Sequence, residues 1–309
     1  MGALQPLVLV FAFQLGASRL VGGHNPINFC NGLLFGNAFS LVALLLLHYT
    51  QRNRTEQRRP WQWRDGPRVL IPVLCGALLE AGTLIALSRV EAIRVALVLT
   101  MTSVVLMLVD AIVRRRRPRV LAGVGVVLVV AASLLISSTE AGEQAVRAMA
   151  PIGLALLPNT ALTDGLLLLG LLCLNVIYYK TSSPLAEELG ELNFGIWQTA
   201  LYTVIFLIWA GTTFGFSHIY DLRSPLLWQV MLLYGAVLSS AYTLLESAAL
   251  AKAGPLLVSL FEGLLPLLSA LFAWFLLKQP LTPPLIAGGI VVALGLACIE
   301  LTGSPQPAE

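Results

Sequence analysis

Three carboxylates interrupt long apolar runs. Glu80 lies in Leu78-Leu-Glu80-Ala-Gly-Thr83, Glu246 follows Tyr242 by one helical turn, and Glu262 stands in Leu260-Phe-Glu262-Gly263. An ionisable group at membrane depth costs about 2.5–3.5 kcal/mol on insertion scales, so each needs a reason to be there. Beside Glu80 the small residues Ala81 and Gly82 let a second helix approach closely. A carboxyl so placed can carry a proton or hold a substrate amine; a static ion pair with an arginine of a neighbouring helix is the plainer alternative. Tyr242 and Glu246 share one helix face. Glu246 is either a cavity group or, nearer the cytoplasmic end, one that reaches water or pairs with Lys252, and Glu262 is either a cavity group or an internal partner of Lys252.

Other polar side chains fall in or beside apolar runs. Arg89 and Arg94 flank a junction in Arg89-Val-Glu91-Ala-Ile-Arg94, where long basic side chains can snorkel to the interface. Turned inward, Arg94 would suit a carboxylate substrate. Gln14 and Arg19 on the first run, and Asn175 and Tyr178 on the sixth, can line a pathway or serve as interhelical hydrogen-bond groups and interface anchors. These residue types define a candidate substrate or proton pathway, with no catalytic or metal centre and no cofactor. His24, His48 and His218 are isolated, and Cys30, Cys75, Cys173 and Cys298 each fall in or at the end of a different run. No HExxH, GxSxG, CxxC or Walker motif occurs. An integral membrane enzyme acting on a lipid-linked substrate would need paired acids or a nucleophile with its base. A scaffold or sensor would be expected to carry a soluble output domain, and the longest stretch between runs is only about 25 residues, too short for one.

The elements that position these groups follow from composition. Hydrophobic residues make up 57% and charged residues 11% of 309, with a mean hydropathy of +0.84. Soluble domains run at roughly 45–50% and about 25%, so water is not this chain's main solvent. The apolar runs cover 4–20, 29–49, 68–88, 92–113, 119–137, 163–180, 191–212, 226–251, 255–277 and 283–301. They show no period-two alternation and are about twice the length of a barrel strand, so they predict transmembrane helices. The first run, with no basic segment before it, reads as a retained helix rather than a cleaved signal.

Positive charge orients the set, because cytoplasmic loops carry excess Lys and Arg. Arg52, Arg54, Arg58, Arg59 and Arg64 follow the second run, and Arg114 to Arg117 with Arg119 follow the fourth. Placing both loops inside puts both termini in the cytoplasm and the stretch 138–162, with Glu140 and Glu143, outside. A net charge of +3 is too small to suggest a nucleic-acid partner.

The chain also repeats itself. With Gly123 set on Gly288, Ala122, Val126, Val127 and Ala132 meet identical partners in Ala287, Val291, Val292 and Ala297. The offset spans five helices, an odd number, so the second copy is inverted in the bilayer. The predicted fold is thus an all-α membrane protein of about ten transmembrane helices in two inverted five-helix repeats. Residues 1–137 form the first repeat, 138–162 an external connection, 163–302 the second repeat and 303–309 a cytoplasmic tail. Inverted repeats of this kind build many secondary transporters, with substrate bound near the midplane.

In this layout the chain resembles the drug/metabolite transporter superfamily, in particular its EamA-like ten-helix members. The resemblance rests on the two five-helix halves, on the short junctions after the third and eighth runs, and on the segment from Pro255 to Gly289 with Pro266, Leu281 and the Ala287-Gly288 pair. Lys278-Gln279-Pro280 departs from the Glu common at the turn before the last helix in such repeats. The resemblance implies export or exchange of a small metabolite, amino acid or drug-like solute by alternating access, with protons as a candidate coupling ion. It implies a multi-pass protein of the inner or plasma membrane, partnered by lipid and a small-molecule substrate, with a homodimer compatible with it.

Overall fold

The structure, a computed structural model, describes residues 29–51, 62–89, 92–113, 120–137, 161–213, 221–262 and 283–301, together with isolated positions between 8 and 27 and Phe275. The described residues are helical with no strand. The helices are α1 (Phe29–Gln51), α2 (Gly66–Arg89), α3 (Ala92–Val113), α4 (Val120–Ser137), α5 (Ala161–Leu189), α6 (Glu191–Thr213), α7 (Pro225–Lys252), α8 (Gly254–Glu262) and α9 (Pro283–Leu301). Most of the apolar runs at 4–20 and 255–277, the arginine-rich loops and the stretch 138–160 lie outside the described residues.

Leu- and Val-rich composition with few breakers makes these segments helical, and the helices α1, α5, α6 and α7 are each long and apolar enough to cross a membrane. The sixth apolar run, expected to end at residue 180, continues through Pro184 to Leu189. At 1.5 Å per residue such a helix is longer than the ~30 Å hydrocarbon layer, so its last turns, with Glu187 and Glu188, can lie beyond the lipid tails. Glycines end two helices where the chain must turn: Gly190, at φ 80°, separates α5 from α6, and Gly254, at φ 81°, follows α7.

The chain divides into two compact units, each drawing on both sequence halves. One unit comprises Met1–Leu78 and Tyr178–Lys252. Within it α1 packs on α6 and α7, and Leu44, Leu192 and Ile196 form a buried cluster with Leu244 against it. A second cluster joins Ile27 to Leu226, Leu227 and Met231. Above it, buried Asp221 accepts a hydrogen bond from the amide of buried Asn31 at 2.8 Å. The middle of α7, Leu232–Ser239, is a π-helix, the wider turn often found near functional sites. It crosses α1 where Gly235 faces Gly36: a Cβ on Gly235 would lie 2.6 Å from the Gly36 carbonyl oxygen.

The other unit comprises Leu79–Ile177 and Ala253–Glu309. Here α4 packs on α9 and α3, and α3 on α8. Val126, Val129 and Val130 form its buried seam with Met101, Val104 and Leu257. Neighbours along α4 differ sharply: Val126 is 1% exposed and Val127 65%. An outward face made of valine is a face for lipid, not water.

Candidate functional site

A buried polar cluster occupies the interior of the first unit. Tyr178 on α5, Gln198 on α6 and Glu246 on α7 are carried by three different helices, and α6 and α7 pack on each other. The Tyr178 hydroxyl donates to Glu246 Oε1 at 3.0 Å. The Gln198 amide nitrogen donates to the Tyr178 oxygen at 2.9 Å and to the Tyr202 oxygen, one turn further along α6, at 3.4 Å. Tyr178, Gln198 and Tyr202 are all buried. Gln198 Oε1 has no hydrogen-bond partner among the described residues.

Local sequence explains the convergence. Gly76 on α2 lies against the Tyr202 hydroxyl and the Tyr178 ring, with no room for a side chain. Gly195, one turn before Gln198, lies against Thr243 of α7, so α6 and α7 approach closely at the level of the cluster. The rings of Tyr178 and Tyr179 lie 5.4 Å apart, and those of Tyr202 and Phe206 lie 6.1 Å apart, giving the cluster an aromatic surround. Tyr242, half-buried, stands one turn before Glu246 on α7. Counting from Leu189, Tyr178 lies about 16 Å along α5, well inside a hydrocarbon layer.

At the far end of the same unit the charges are matched elsewhere. Lys252 pairs with Glu191 at 2.8 Å, so the expected alternative of a Lys252–Glu246 pair gives way to a tyrosine on Glu246. Arg68 binds Glu188 through two parallel bonds of 2.6 Å.

The remaining candidates are dispersed. Asn175, one turn before Tyr178, belongs to the second unit, where its amide nitrogen donates to buried Thr102 Oγ1 at 3.0 Å. Its Oδ1 has no partner among the described residues. Glu80 on α2, also in the second unit, is half-buried, and no ion-pair partner for it occurs among the described residues. Gly82, two residues on, is packed by Leu171. Arg19 is exposed in a bend. Arg94 lies on α3 and Glu262 ends α8, but their side chains, like Gln14 altogether, lie outside the described residues.

Sequence reasoning missed Gln198, Tyr202 and Gly76. A signal was available for the first two: a Gln and a Tyr four residues apart on the apolar run of α6 repeat the spacing of Tyr242 and Glu246. Nothing in the sequence distinguishes Gly76 from other helical glycines, because its role comes from a neighbour more than a hundred positions away.

Comparison with known proteins follows the same outline. The model of the EamA-like transporter family matches residues 7–138 and again 163–301. An uncharacterized transporter of Synechocystis sp. is 23% identical over 287 residues, covering 91% of this chain and 78% of that protein. A solved crystal structure shares the fold, with a TM-score of 0.60 at 16% identity, over 97% of this chain and 96% of the other.

Proposed function

Since the chain belongs to the EamA-like transporter family and is an integral membrane transporter, we propose that it exports or exchanges a small metabolite, amino acid or drug-like solute by alternating access of two inverted repeats. The observation that carries this reading is a carboxylate, Glu246, held by Tyr178 within an otherwise apolar helix. Even partly burying such a group in an apolar span is costly, and a transport pathway offers a reason for it. Tyr178, Gln198, Tyr202, Tyr242 and Glu246 then belong to the substrate path.

Glu80 carries the coupling proton in this scheme. It stands in an apolar helix without an ion-pair partner among the described residues, and a carboxyl in that state can take up and release a proton as its surroundings change. Ten spans with both termini in the cytoplasm, in the inner or plasma membrane, complete the proposal, supported by the arginine-rich loops.

The test is solute flux in proteoliposomes under an imposed pH gradient. Glu80→Gln is expected to abolish the pH-driven part of the flux while the protein remains inserted and folded. Undiminished pH-driven flux in that variant would remove Glu80 from the coupling step. Absence of flux for every solute class would count against transport by this chain alone.

A further inference from the structure

Resting on the reading of the Tyr178–Gln198 cluster as part of the substrate path, we infer that Gln198 Oε1 is where the solute is held, and that the solute presents to it a hydrogen-bond donor, an N–H or O–H group, on an apolar or aromatic body.

The tyrosines fix how the Gln198 side chain lies. An amide can be turned end for end, exchanging its oxygen and its nitrogen. The Tyr178 hydroxyl has a single proton, which it gives to Glu246, so its oxygen faces Gln198 as an acceptor and requires the amide nitrogen there. The same nitrogen reaches the Tyr202 oxygen at 3.4 Å. Oε1 is thereby left on the side of the amide away from both tyrosine oxygens. It is an acceptor with no hydrogen-bond partner among the described residues, on a side chain only 5% exposed. Buried amide oxygens are seldom left so, and a bound donor gives this one its partner.

Two more buried groups in the same unit fit a small polar solute. The hydroxyls of Ser247 on α7 and Ser182 on α5 are buried and have no hydrogen-bond partner among the described residues. Gly195 precedes Gln198 by three residues, on the same face of α6, and a Cβ built on it would lie 3.7 Å from Ser247 Oγ. Ser182 follows Tyr178 by one turn, on the same face of α5. A serine hydroxyl donates or accepts, whereas the Gln198 oxygen only accepts. An ester, ketone or carboxylate, carrying acceptors alone, sets lone pair against lone pair at Oε1. A primary amide or an alcohol supplies the missing donor and keeps an acceptor for a serine. The rings of Tyr178, Tyr179, Tyr202 and Phe206 form an apolar wall for the rest of the molecule.

The experiment compares two uncharged probes of similar size on the purified full chain, 2-phenylacetamide and methyl phenylacetate, by ligand-observed NMR titration at neutral pH. The first carries N–H donors and the second only acceptors, so charge plays no part in the comparison. The amide is expected to bind about tenfold tighter or more, the equivalent of one hydrogen bond to a buried acceptor. Gln198→Met, which keeps the length of the side chain and removes its amide, is expected to bring the two probes to equal affinity. Should that variant not fold, the comparison on the unaltered chain decides alone. Equal binding of the two probes by the unaltered chain, tighter binding of the ester, or binding of neither would each overturn the inference, as would an amide preference that persists in Gln198→Met. Amide-selective binding with no flux of any solute class in proteoliposomes upholds the inference while removing the transport reading. Solute flux by a chain that binds the two probes equally upholds transport and removes the inference.

Discussion

Gly295 of α9 sits on the backbone of α4: a Cβ built there would lie 2.8 Å from the carbonyl oxygen of Gly125 and 3.1 Å from the amide nitrogen of Val129. In lipid no hydrophobic force drives two apolar helices together, so contact this close supplies their association through packing. Gly295→Ala is expected to lower the melting temperature of the detergent-purified protein, with an overpacking cost of about 1–3 kcal/mol. Gly123→Ala on α4 is the control, because nothing lies within 4 Å of a Cβ there. Equal melting temperatures for the two variants would show that the close crossing does not hold this pair together.

Gly76→Ala tests the cluster from its apolar side. The added methyl would press on the Tyr202 hydroxyl and the Tyr178 ring, displacing the oxygens that Gln198 donates to. Substrate flux is expected to fall on the order of tenfold, the equivalent of one polar contact, with a smaller effect on melting than Gly295→Ala. Wild-type flux would mean that the two tyrosines can shift without consequence.

Tyr178→Phe removes a donor from Glu246 and an acceptor from Gln198 in one step. Its expected cost is about 1–3 kcal/mol of stability, the loss of one hydrogen bond to a charged group and one between neutral groups in a shielded site. Because the groups share one network, Tyr178→Phe and Glu246→Gln are expected to be non-additive, with a coupling of about 0.5–3 kcal/mol in a double-mutant cycle. Additive unfolding energies would separate the two residues energetically despite their 3.0 Å contact.

The π-helix of α7 makes an unusual length prediction. Its wide turns hold extra residues relative to an α-helix, so deleting Val237 from Leu232–Ser239 can be absorbed by reversion to α-helix, with Tyr242 and Glu246 kept in phase. Deleting Leu244 from the regular part instead turns Glu246 by about 100° relative to the preceding helix. Solute flux in proteoliposomes is therefore expected to survive the first deletion better than the second. The reverse order would show that the π-turns themselves are required.

Much of the helical framework was legible because the apolar runs have sharp ends. The run 92–113 coincides with α3, and 283–301 with α9. The sixth run was read too short because Pro184, Glu187 and Glu188 look like loop residues, whereas the helix continues through them to Leu189, just before Gly190. Tyr178, Tyr242 and Glu246 drew attention as polar groups in apolar surroundings. Gln198 carries no charge and passed unnoticed, although it is the residue that links Tyr178 to Tyr202.

The sequence by itself determined the solvent and therefore the form of the backbone: so few charges in such long apolar runs require lipid, and lipid requires helices. It also determined which side chains were costly enough to need a role. Only the tertiary structure decided their partners, giving Glu246 to Tyr178 and Lys252 to Glu191. The physical reason is that these helices are apolar nearly all round, so no hydrophobic face in the sequence states which side turns inward. That rotation is set by the small residues at the crossings, Gly36 against Gly235 and Gly125 against Gly295, and a hydrogen bond of 3 Å exists or does not according to it.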